Sequence, residues 1–308
     1  MADARPASLE PRLEEVDRGI FAYIQPDGTW FLNNAGFIVG PDGLLAIDST
    51  STERRARALR EALRSVSDAP VQVLVNTHSH GDHTWGNFVF APATAIVAHE
   101  RCRAEALAAG TGATALFPDV EWGELRLAPP FVTFEERLNL YAGDLRIELH
   151  YLGPAHTTGD VVAWIPERRV LFTGDLVFNG GTPLALTGTV RGWVEVMPKL
   201  RAFGAERIVP GHGPVCGPEA FDAVEGYLRF VLEAAERGLQ ADVEPLELAR
   251  DLDLGPYREL TDPERLVANL HRAYADLRGE PPGSALDAAR IFQEMVAYNG
   301  GQPLRCLA

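Results

Sequence analysis

One six-residue segment, residues 78–83, reads HSHGDH and places three imidazoles and a carboxylate close together. It directly follows the apolar run VQVLV at residues 71–75, which predicts that the segment lies at the end of a β-strand. Imidazole nitrogen and carboxylate oxygen are ligands that zinc prefers. The one-residue gap between His78 and His80 lets both side chains converge where the backbone is extended. The sequence therefore predicts a metal site at a strand end.

The residues that close this segment indicate a second metal ion. Gly81 allows a sharp bend after His80, so that Asp82 and His83 leave the bend in different directions. Ligands that diverge in this way suit two ions a few ångströms apart better than one ion.

Three further candidate ligands follow short apolar runs or lie in glycine-rich turns. They are His156 in GPAHTTGD, Asp175 in LFTGD and His212 in IVPGHG. Loops at one edge of a sheet can bring such residues together. A single histidine or aspartate in a turn is as readily explained by solvation or capping, but the ordered set favours one metal centre.

The ordered pattern of these residues resembles the metallo-β-lactamase superfamily in its dinuclear form, over roughly the first 220 residues. The resemblance implies an α/β fold, a four-layer αββα sandwich with the metals in a groove where the edges of the two sheets meet. It implies two zinc ions as cofactors. The ligands implied are His78, His80 and His156 for one ion, Asp82, His83 and His212 for the other, and Asp175 as a bridge. Asp82 and Asp175 would then also be catalytic.

Segments outside the metal motif are similar to the metallo-β-lactamase-fold cyclases and thioesterases of actinorhodin-type aromatic polyketide pathways. They are residues 34–36, 76–78, 81–83, 86–87, 153–157, 265–272 and 296–302. This resemblance implies a zinc-dependent cyclase and thioesterase, which closes a ring by an aldol-type reaction and hydrolyses the thioester of an aromatic polyketide. The partner implied is the acyl carrier protein to which the polyketide is bound.

Two other activities fit the same ligands. A general dinuclear zinc thioesterase or lactonase resembling glyoxalase II would use all of them in a more open and polar pocket. An iron-dependent oxidoreductase resembling the persulfide dioxygenases would keep the histidine pattern with one iron. Turnover of simple acyl thioesters against a polyketide mimic would distinguish the first alternative from the cyclase. Metal analysis for zinc or iron would distinguish the second.

Residues from three segments are predicted to flank the groove and contact the substrate. They are Trp30, Phe31, Thr182, Pro183, Tyr298 and Asn299. Aromatic and small apolar side chains would present a suitable surface to a flat polycyclic ligand. Trp30 fits a place in the core equally well.

The chain has a formal net charge of −15, which argues against a nucleic acid as substrate because binding a polyanion relies on lysine and arginine. An acyl carrier protein is itself usually acidic, so its docking would need a local basic patch. One predicted helix carries such a cluster: Arg54, Arg55, Arg57, Arg60 and Arg64. A solvated helix face balanced by Glu53 and Glu61 explains the same residues.

No apolar run is long enough to cross a bilayer, and the N-terminal residues 1–6 lack the apolar core of a secretion signal. The expected location is cytoplasmic, with no membrane partner. The chain has three cysteines, Cys102, Cys216 and Cys306, at scattered positions, which favours neither a disulfide framework nor a thiolate zinc site.

The periodicity of the chain predicts two units. Residues 1–237 form the catalytic domain, and residues 238–308 form a helical C-terminal extension that packs on it. Within the first unit, the predicted elements include strands at 19–24, 30–39 and 44–48, helices at 192–203 and 218–237, and a crossing loop at 110–130. Residues 48–50 are predicted to introduce a helix that begins near Thr52.

Overall fold

The computed structural model of the protein describes residues 10–308. Two β-sheets lie face to face and helices cover both outer faces, so the predicted four-layer αββα sandwich is confirmed. The N-terminal residues 1–6, for which no secretion signal was predicted, lie outside the described residues.

The first sheet runs in chain order through seven strands of the described part. They are β1 (Arg12–Asp17), β2 (Ile20–Ile24), β3 (Ala35–Val39), β4 (Leu44–Ile47), β5 (Val71–Val75), β6 (Ala95–His99) and β7 (Val132–Phe134). The first four pair antiparallel, whereas β4 to β7 pair parallel. Parallel strands end at the same edge, so the residues after β4 and the HSHGDH segment after β5 emerge together.

The second sheet has the strand order β12-β11-β10-β9-β8 within the described residues. Its strands are β8 (Arg137–Ala142), β9 (Leu145–Tyr151), β10 (Val161–Ile165), β11 (Val170–Phe178) and β12 (Arg207–His212). The pairing is antiparallel except between β11 and β12. The strands β9, β11 and β12 therefore point the same way, and their ends bring His156, Asp175 and His212 to one edge.

The helices form the outer layers of the sandwich. They are α1 (Glu53–Val66), the short α2 (Gly81–Thr84), α3 (Glu100–Ala109), α4 (Val190–Ala202), α5 (Glu219–Gln240), α6 (Pro245–Asp251), α7 (Arg265–Leu277) and α8 (Ala288–Tyr298). Thr52 caps α1, as predicted, by accepting a hydrogen bond from the Arg55 amide. The predicted crossing loop at 110–130 holds a short 3-10 helix, Gly112–Leu116.

Alternating side chains build the cores on either side of each sheet. On β4, Leu45 and Ile47 enter the core between the two sheets, while Leu44 and Ala46 face α1. The second sheet packs its other face against α4, α5 and α7 in one continuous apolar cluster. The two sheets are therefore fixed to each other independently of the loops at their edge.

The chain beyond residue 237 is helical, as predicted, but α5 passes through the predicted boundary. Leu266 and Leu270 on α7 and Ile291 on α8 belong to the same apolar cluster as Trp193 on α4. The division into units at 1–237 and 238–308 stays a prediction. Within residues 10–308, no helix is both long enough and apolar enough to cross a membrane.

One predicted strand is wrong in part. The sequence suggested a strand over residues 30–39, but β3 begins only at Ala35. Phe31 has a φ of 61°, in the left-handed region, and Trp30 pairs with Cys306 in an isolated bridge instead. The backbone before β3 is therefore a loop that meets the C-terminal tail.

Replacing Phe37 by alanine should lower the free energy of unfolding by about 3–5 kcal/mol, because it removes a ring that is fully buried between β3 and α1. Urea denaturation followed by circular dichroism measures the change. Phe131, which is 85% exposed, offers a matched control, since Phe131→Ala should stay within about 0.5 kcal/mol of the unsubstituted protein. Equal effects of the two substitutions would contradict this account of the core.

Candidate metal centre

The seven predicted ligands lie together at the edge where the two sheets meet. They form two groups whose potential ligand atoms all lie within 4.8 Å of one another in each group. The first group is His78, His80, His156 and Asp175, and the second is Asp82, His83 and His212. The first sheet supplies the residues of the HSHGDH segment, and the second sheet supplies the other three. The structure thus brings together all seven side chains, in the two triads that were predicted.

Each of the five histidines has one ring nitrogen that points away from the centre and lies within hydrogen-bonding distance of an oxygen atom. The pairs are His78 Nδ1 with Thr77 Oγ1 at 3.1 Å, His80 Nε2 with Thr187 Oγ1 at 2.9 Å, His83 Nδ1 with Asp48 Oδ2 at 2.8 Å, His212 Nδ1 with the Gly28 carbonyl at 3.0 Å, and His156 Nδ1 with the Leu184 carbonyl. A carbonyl or carboxylate acceptor places the proton of a neutral ring on the bonded nitrogen. The other nitrogen is then free to bind a metal ion.

The inward nitrogens converge on Asp175 of β11. Asp175 Oδ2 lies 3.3 Å from Nε2 of His156 and 3.3 Å from Nε2 of His212, and Asp175 Oδ1 lies 3.1 Å from Nε2 of His83. These contacts reach residues of both triads. A bridging carboxylate would need such contacts, and the bridging role itself stays a prediction.

Three buried polar atoms in the centre make no well-aligned hydrogen bond within the described chain. They are His78 Nε2, His83 Nε2 and Asp175 Oδ1, of which the last two contact each other at 3.1 Å. A buried polar atom left unsatisfied costs about 1–3 kcal/mol. Divalent cations would satisfy all three atoms, and zinc accepts this set of imidazole and carboxylate donors. The residues present therefore fit the implied metal ions.

Burial is the main influence on the pKa values of the three histidines in the first triad. It disfavours the charged form of each ring, so it lowers the pKa of His78 and His80 and brings the pKa of His156 down to about 3. These three rings are therefore neutral at physiological pH. Neutral imidazole is the form that binds a metal ion.

Nearby carboxylates decide the direction in which the pKa values of the two histidines in the second triad shift. Burial opposes the charged ring here too, but Asp175 and its neighbours raise the pKa of His83 well above its usual range and that of His212 to about 9. Burial acts the other way, but the two histidines lower the pKa of Asp82 to about 2. They also lower the pKa of Asp175 well below its usual range. Protons and divalent cations therefore compete for the same inward-facing atoms of this triad.

Two glycines make room for the centre. A Cβ atom at Gly211, next to His212, would overlap the Asp175 carboxylate. At Gly81 the sequence suggested a bend, and the structure gives another reason for glycine. Gly81 is the first residue of α2, and a Cβ atom there would overlap the ring of Trp85.

The centre opens to solvent on one side. The side chain of Asp82 is 11% exposed and His80 is partly exposed, whereas the other side chains of the centre are at most 4% exposed. A substrate would therefore approach past Asp82 and His80. This is also the side on which the exposed Thr187 meets His80.

The residues predicted to contact the substrate lie in different surroundings. Trp30 and Phe31 are partly buried in an aromatic cluster with Phe117. Thr182 is buried, and its hydroxyl donates a hydrogen bond to the Thr261 carbonyl at 2.7 Å.

The other three of these residues contact the C-terminal helices. Pro183 is buried, and its carbonyl accepts a hydrogen bond from Asn269 on α7. Tyr298 packs on the apolar cluster of the helices. The exposed Asn299 donates to the carbonyls of Gln302 and Pro303, three and four residues further along the chain. Within residues 10–308, none of the contacts seen joins Tyr298 or Asn299 to the predicted ligands. Their role in substrate binding stays a prediction.

Several residues that support the ligands were missed by the sequence analysis. Asp48 was assigned to the start of a helix, but its carboxylate accepts hydrogen bonds from Thr77 and faces His83. Glu105 on α3 accepts hydrogen bonds from the hydroxyls of Ser79, at 2.6 Å, and Thr158. Asp48 directly follows an apolar strand, as the ligands do, and that signal could have indicated it.

A two-sheet sandwich with two clusters of histidine and carboxylate at one edge defines a class of metal-dependent hydrolases. The sequence profile of the metallo-beta-lactamase superfamily matches residues 28–212, more than half of the chain. The chain therefore belongs to the metallo-beta-lactamase superfamily. It is a hydrolase-like enzyme of that superfamily with two candidate metal sites.

Similar proteins have diverse activities. The 2,4-dinitroanisole O-demethylase subunit alpha of Nocardioides sp. (strain JS1661) is 32% identical over 178 residues, 57% of this chain and 51% of that protein. The linear primary-alkylsulfatase of Pseudomonas sp. (strain ATCC 19151) is 24% identical over 265 residues, 71% of this chain and 50% of that protein. This chain spans about half the length of these curated relatives.

Solved structures support the fold. A metallo-beta-lactamase from Pontibacter korlensis matches with a TM-score of 0.60 and 20% sequence identity, covering 71% of this chain and 99% of that one. At this identity the likeness concerns the fold and not the substrate.

Replacing the predicted ligands should remove metal ions in a defined pattern. His156→Ala should lose one of two ions, because it removes one ligand of the first triad, whereas Asp175→Ala should lose both, because the carboxylate contacts both triads. Metal analysis of the purified proteins counts the ions. An Asp175→Ala protein that keeps one ion at full affinity would contradict the bridging role.

Proposed function

We propose that the protein is a dinuclear zinc hydrolase that acts on acyl thioesters with a large apolar group. The observation that carries the proposal is that five histidines, each hydrogen-bonded on its outer side, converge on the buried Asp175. Three inward atoms of this group make no well-aligned hydrogen bond within the described chain. Zinc suits the donor set of imidazole and carboxylate. Water activation and carbonyl polarisation are the chemistry that such ions supply when bound.

Residues of the chain orient the groups that would bind the metal ions and the attacking water molecule. The outer hydrogen bonds fix the five rings, so that little reorganisation is needed when a substrate arrives. Asp82 lies at the open side, and its pKa of about 2 keeps it ionised at neutral pH. An ionised carboxylate there can accept a hydrogen bond from a water molecule and orient it towards a carbonyl that enters past His80.

An aromatic cluster leads from the metal centre to an apolar cleft. Trp85 packs on Gly81 beside the ligands, and Phe31 stacks on Trp85 with a centroid distance of 5.4 Å. Phe117 then contacts both Phe31, at 5.4 Å, and Phe292 on α8, at 5.5 Å. Trp85 and Phe117 are buried, so the partly exposed rings of Phe31 and Phe292 are the ones that could contact a flat apolar ligand.

The cleft lies between the 3-10 helix that ends at Leu116 and the C-terminal helix α8. It has a volume of about 320 Å³, and apolar residues dominate its lining. They include Leu116, Phe117, Val120, Phe292, Val296 and Leu304. This size falls at the lower end of the range of small-molecule sites. The cleft supports a substrate whose acyl group is apolar and whose thioester lies at the metal centre.

The names of the two relatives agree with an apolar substrate. An alkylsulfatase acts on an alkyl ester, and an O-demethylase of 2,4-dinitroanisole acts on an aromatic ether. Both activities place an apolar group beside the bond that is cleaved. The thioester itself comes from the resemblance of residues 34–36, 153–157 and 265–272 to polyketide cyclases and thioesterases.

In its finer form the proposal is a cyclase and thioesterase of an aromatic polyketide bound to an acyl carrier protein. The basic patch considered for docking is largely engaged within the chain. Arg57 pairs with Glu53, and Arg64 pairs with Glu61. Arg55 turns inward and donates to the Leu307 carbonyl. A carrier protein would therefore have to compete with these internal pairs, or dock elsewhere.

The polyketide proposal is tested with one acyl group on two carriers. An aromatic polyketide thioester on an acyl carrier protein should be cyclised and released with a higher kcat/KM than the same acyl group on a short thiol, because contacts remote from the thioester help to position it. Product analysis by mass spectrometry detects the cyclised acid. Efficient turnover of small hydroxyacyl thioesters, with no product from any polyketide thioester, would favour the enzyme resembling glyoxalase II. One iron per chain without zinc would favour the oxidoreductase.

Truncating Leu116 tests the apolar cleft. Leu116→Ala should raise KM for an aromatic acyl thioester by roughly fivefold, because it removes apolar contact worth about 1 kcal/mol, and should leave the metal content unchanged. Steady-state kinetics with an aromatic and an acetyl thioester measure the effect. Leu127→Ala is the matched control, since Leu127 is similarly exposed and does not line this cleft. An equal change for both thioesters would argue against the cleft.

A further inference from the structure

A stripe of buried polar residues runs along α7, in the chain beyond the shared sandwich. The stripe consists of Arg265, Asn269, Arg272 and Asp276, each at most 5% exposed. Their spacing of four, three and four residues places them on one face of the helix. Buried charges and amides are costly unless they are hydrogen-bonded, so this face needs polar partners.

The partners are successive groups of one segment, and all but the Thr189 hydroxyl belong to the backbone. The segment comprises residues 182–191, from the loop after β11 to the first two residues of α4, and is called the support segment. Arg265 donates to the Thr182 carbonyl at 3.0 Å. Asn269 donates to the Pro183 carbonyl at 2.7 Å and accepts from the Ala185 amide at 2.8 Å.

The remaining two residues of the stripe continue in the same order. Arg272 donates through two nitrogens to the Leu186 carbonyl, at 2.7 and 3.2 Å. Asp276 accepts from the Thr189 hydroxyl at 3.0 Å and from the Arg191 amide at 3.1 Å. The support segment is thus fixed to α7 along its whole length.

The other side of the support segment meets the first triad. The Leu184 carbonyl accepts a hydrogen bond from His156, and the Thr187 hydroxyl lies 2.9 Å from Nε2 of His80. Nδ1 of His80 faces Nε2 of His156 at 2.9 Å, as two ligands of one ion would. With Nδ1 turned inward, the proton of the neutral ring is on Nε2, which donates to Thr187.

We propose that Thr187 is a positioning residue of the first metal site, and that α7 sets the geometry of this site through the support segment. The proposal rests on the proposed function, because it requires an ion between His78, His80 and His156. Thr187 is exposed, whereas the residues that hold the other four histidines are buried. Its hydroxyl can therefore be removed without opening the core.

The experiment compares Thr187→Val with Thr187→Ser. Valine keeps the shape and loses the hydroxyl, so affinity for one of the two zinc ions should fall by roughly tenfold or more, which is the usual effect of removing such an outer hydrogen bond. Serine should restore the affinity to within roughly twofold. Competition with a chromophoric zinc chelator measures both affinities without any substrate. Thr133→Val, on an exposed residue of β7, is the matched control and should change neither affinity.

A cycle of double variants assigns the effect to one site. In a His212→Ala background, which leaves the first triad intact, Thr187→Val should still weaken zinc binding. In a His156→Ala background, which removes the first triad, it should have no effect. Arg272→Met, which breaks the bonds to Leu186, should weaken the same ion while circular dichroism shows a folded protein.

The outcomes separate the two proposals. If the unsubstituted protein does not bind two zinc ions, the dinuclear assignment fails. If it binds two ions and Thr187→Val binds both with unchanged affinity, the positioning role is wrong and the dinuclear assignment stands. An effect that persists in the His156→Ala background would also overturn the positioning role, because it could not act through the first site.

Discussion

The buried charge of Asp175 is the constraint on which the rest of the centre depends. A carboxylate at 4% exposure is strongly unfavourable unless cations or donors surround it. Here His83 and His212 face it directly, and burial of this group is tolerated because their charge or a metal ion compensates it. The two sheets, the close approach of Gly211 to Asp175 and the outer hydrogen bonds all bring those rings to one carboxylate. The fold around the site is therefore organised by electrostatics as much as by packing.

The sequence predicted the ligands because their signals are local. Each predicted ligand follows a short apolar run or lies in a glycine-rich turn, and parallel strands end at a common edge, so adjacency in space follows from the pattern. The loop before β3 shows the limit of such signals. Trp30 and Phe31 have the composition of a strand, but Trp30 pairs with Cys306 in the C-terminal tail, more than 200 residues away in the chain. No local pattern reports that contact.

Apart from Asp48, which directly follows an apolar strand, the outer layer of the centre was not predictable for the same reason. Thr187 is 107 positions from His80. A threonine in a glycine-rich loop has many ordinary explanations. Its contact with His80 depends on how α7 positions the support segment. The spacing of the polar stripe on α7 is present in the sequence. Its partners in the support segment are backbone groups except for the Thr189 hydroxyl, and backbone groups carry no sequence signal.

Both triads draw ligands from both sheets. His78 and His80 follow β5 of the first sheet and His156 follows β9 of the second, while His83 lies on α2 and His212 ends β12. An ion in either triad would therefore link the two sheets at the edge where they meet, as a reversible disulfide would. Ligands that bind only the native state add to its stability. The free energy of unfolding of the two-sheet sandwich would therefore rise with the free metal concentration, in addition to what the apolar cores contribute. Catalytic competence and the integrity of the sandwich edge would then respond together to metal supply in the surrounding solution.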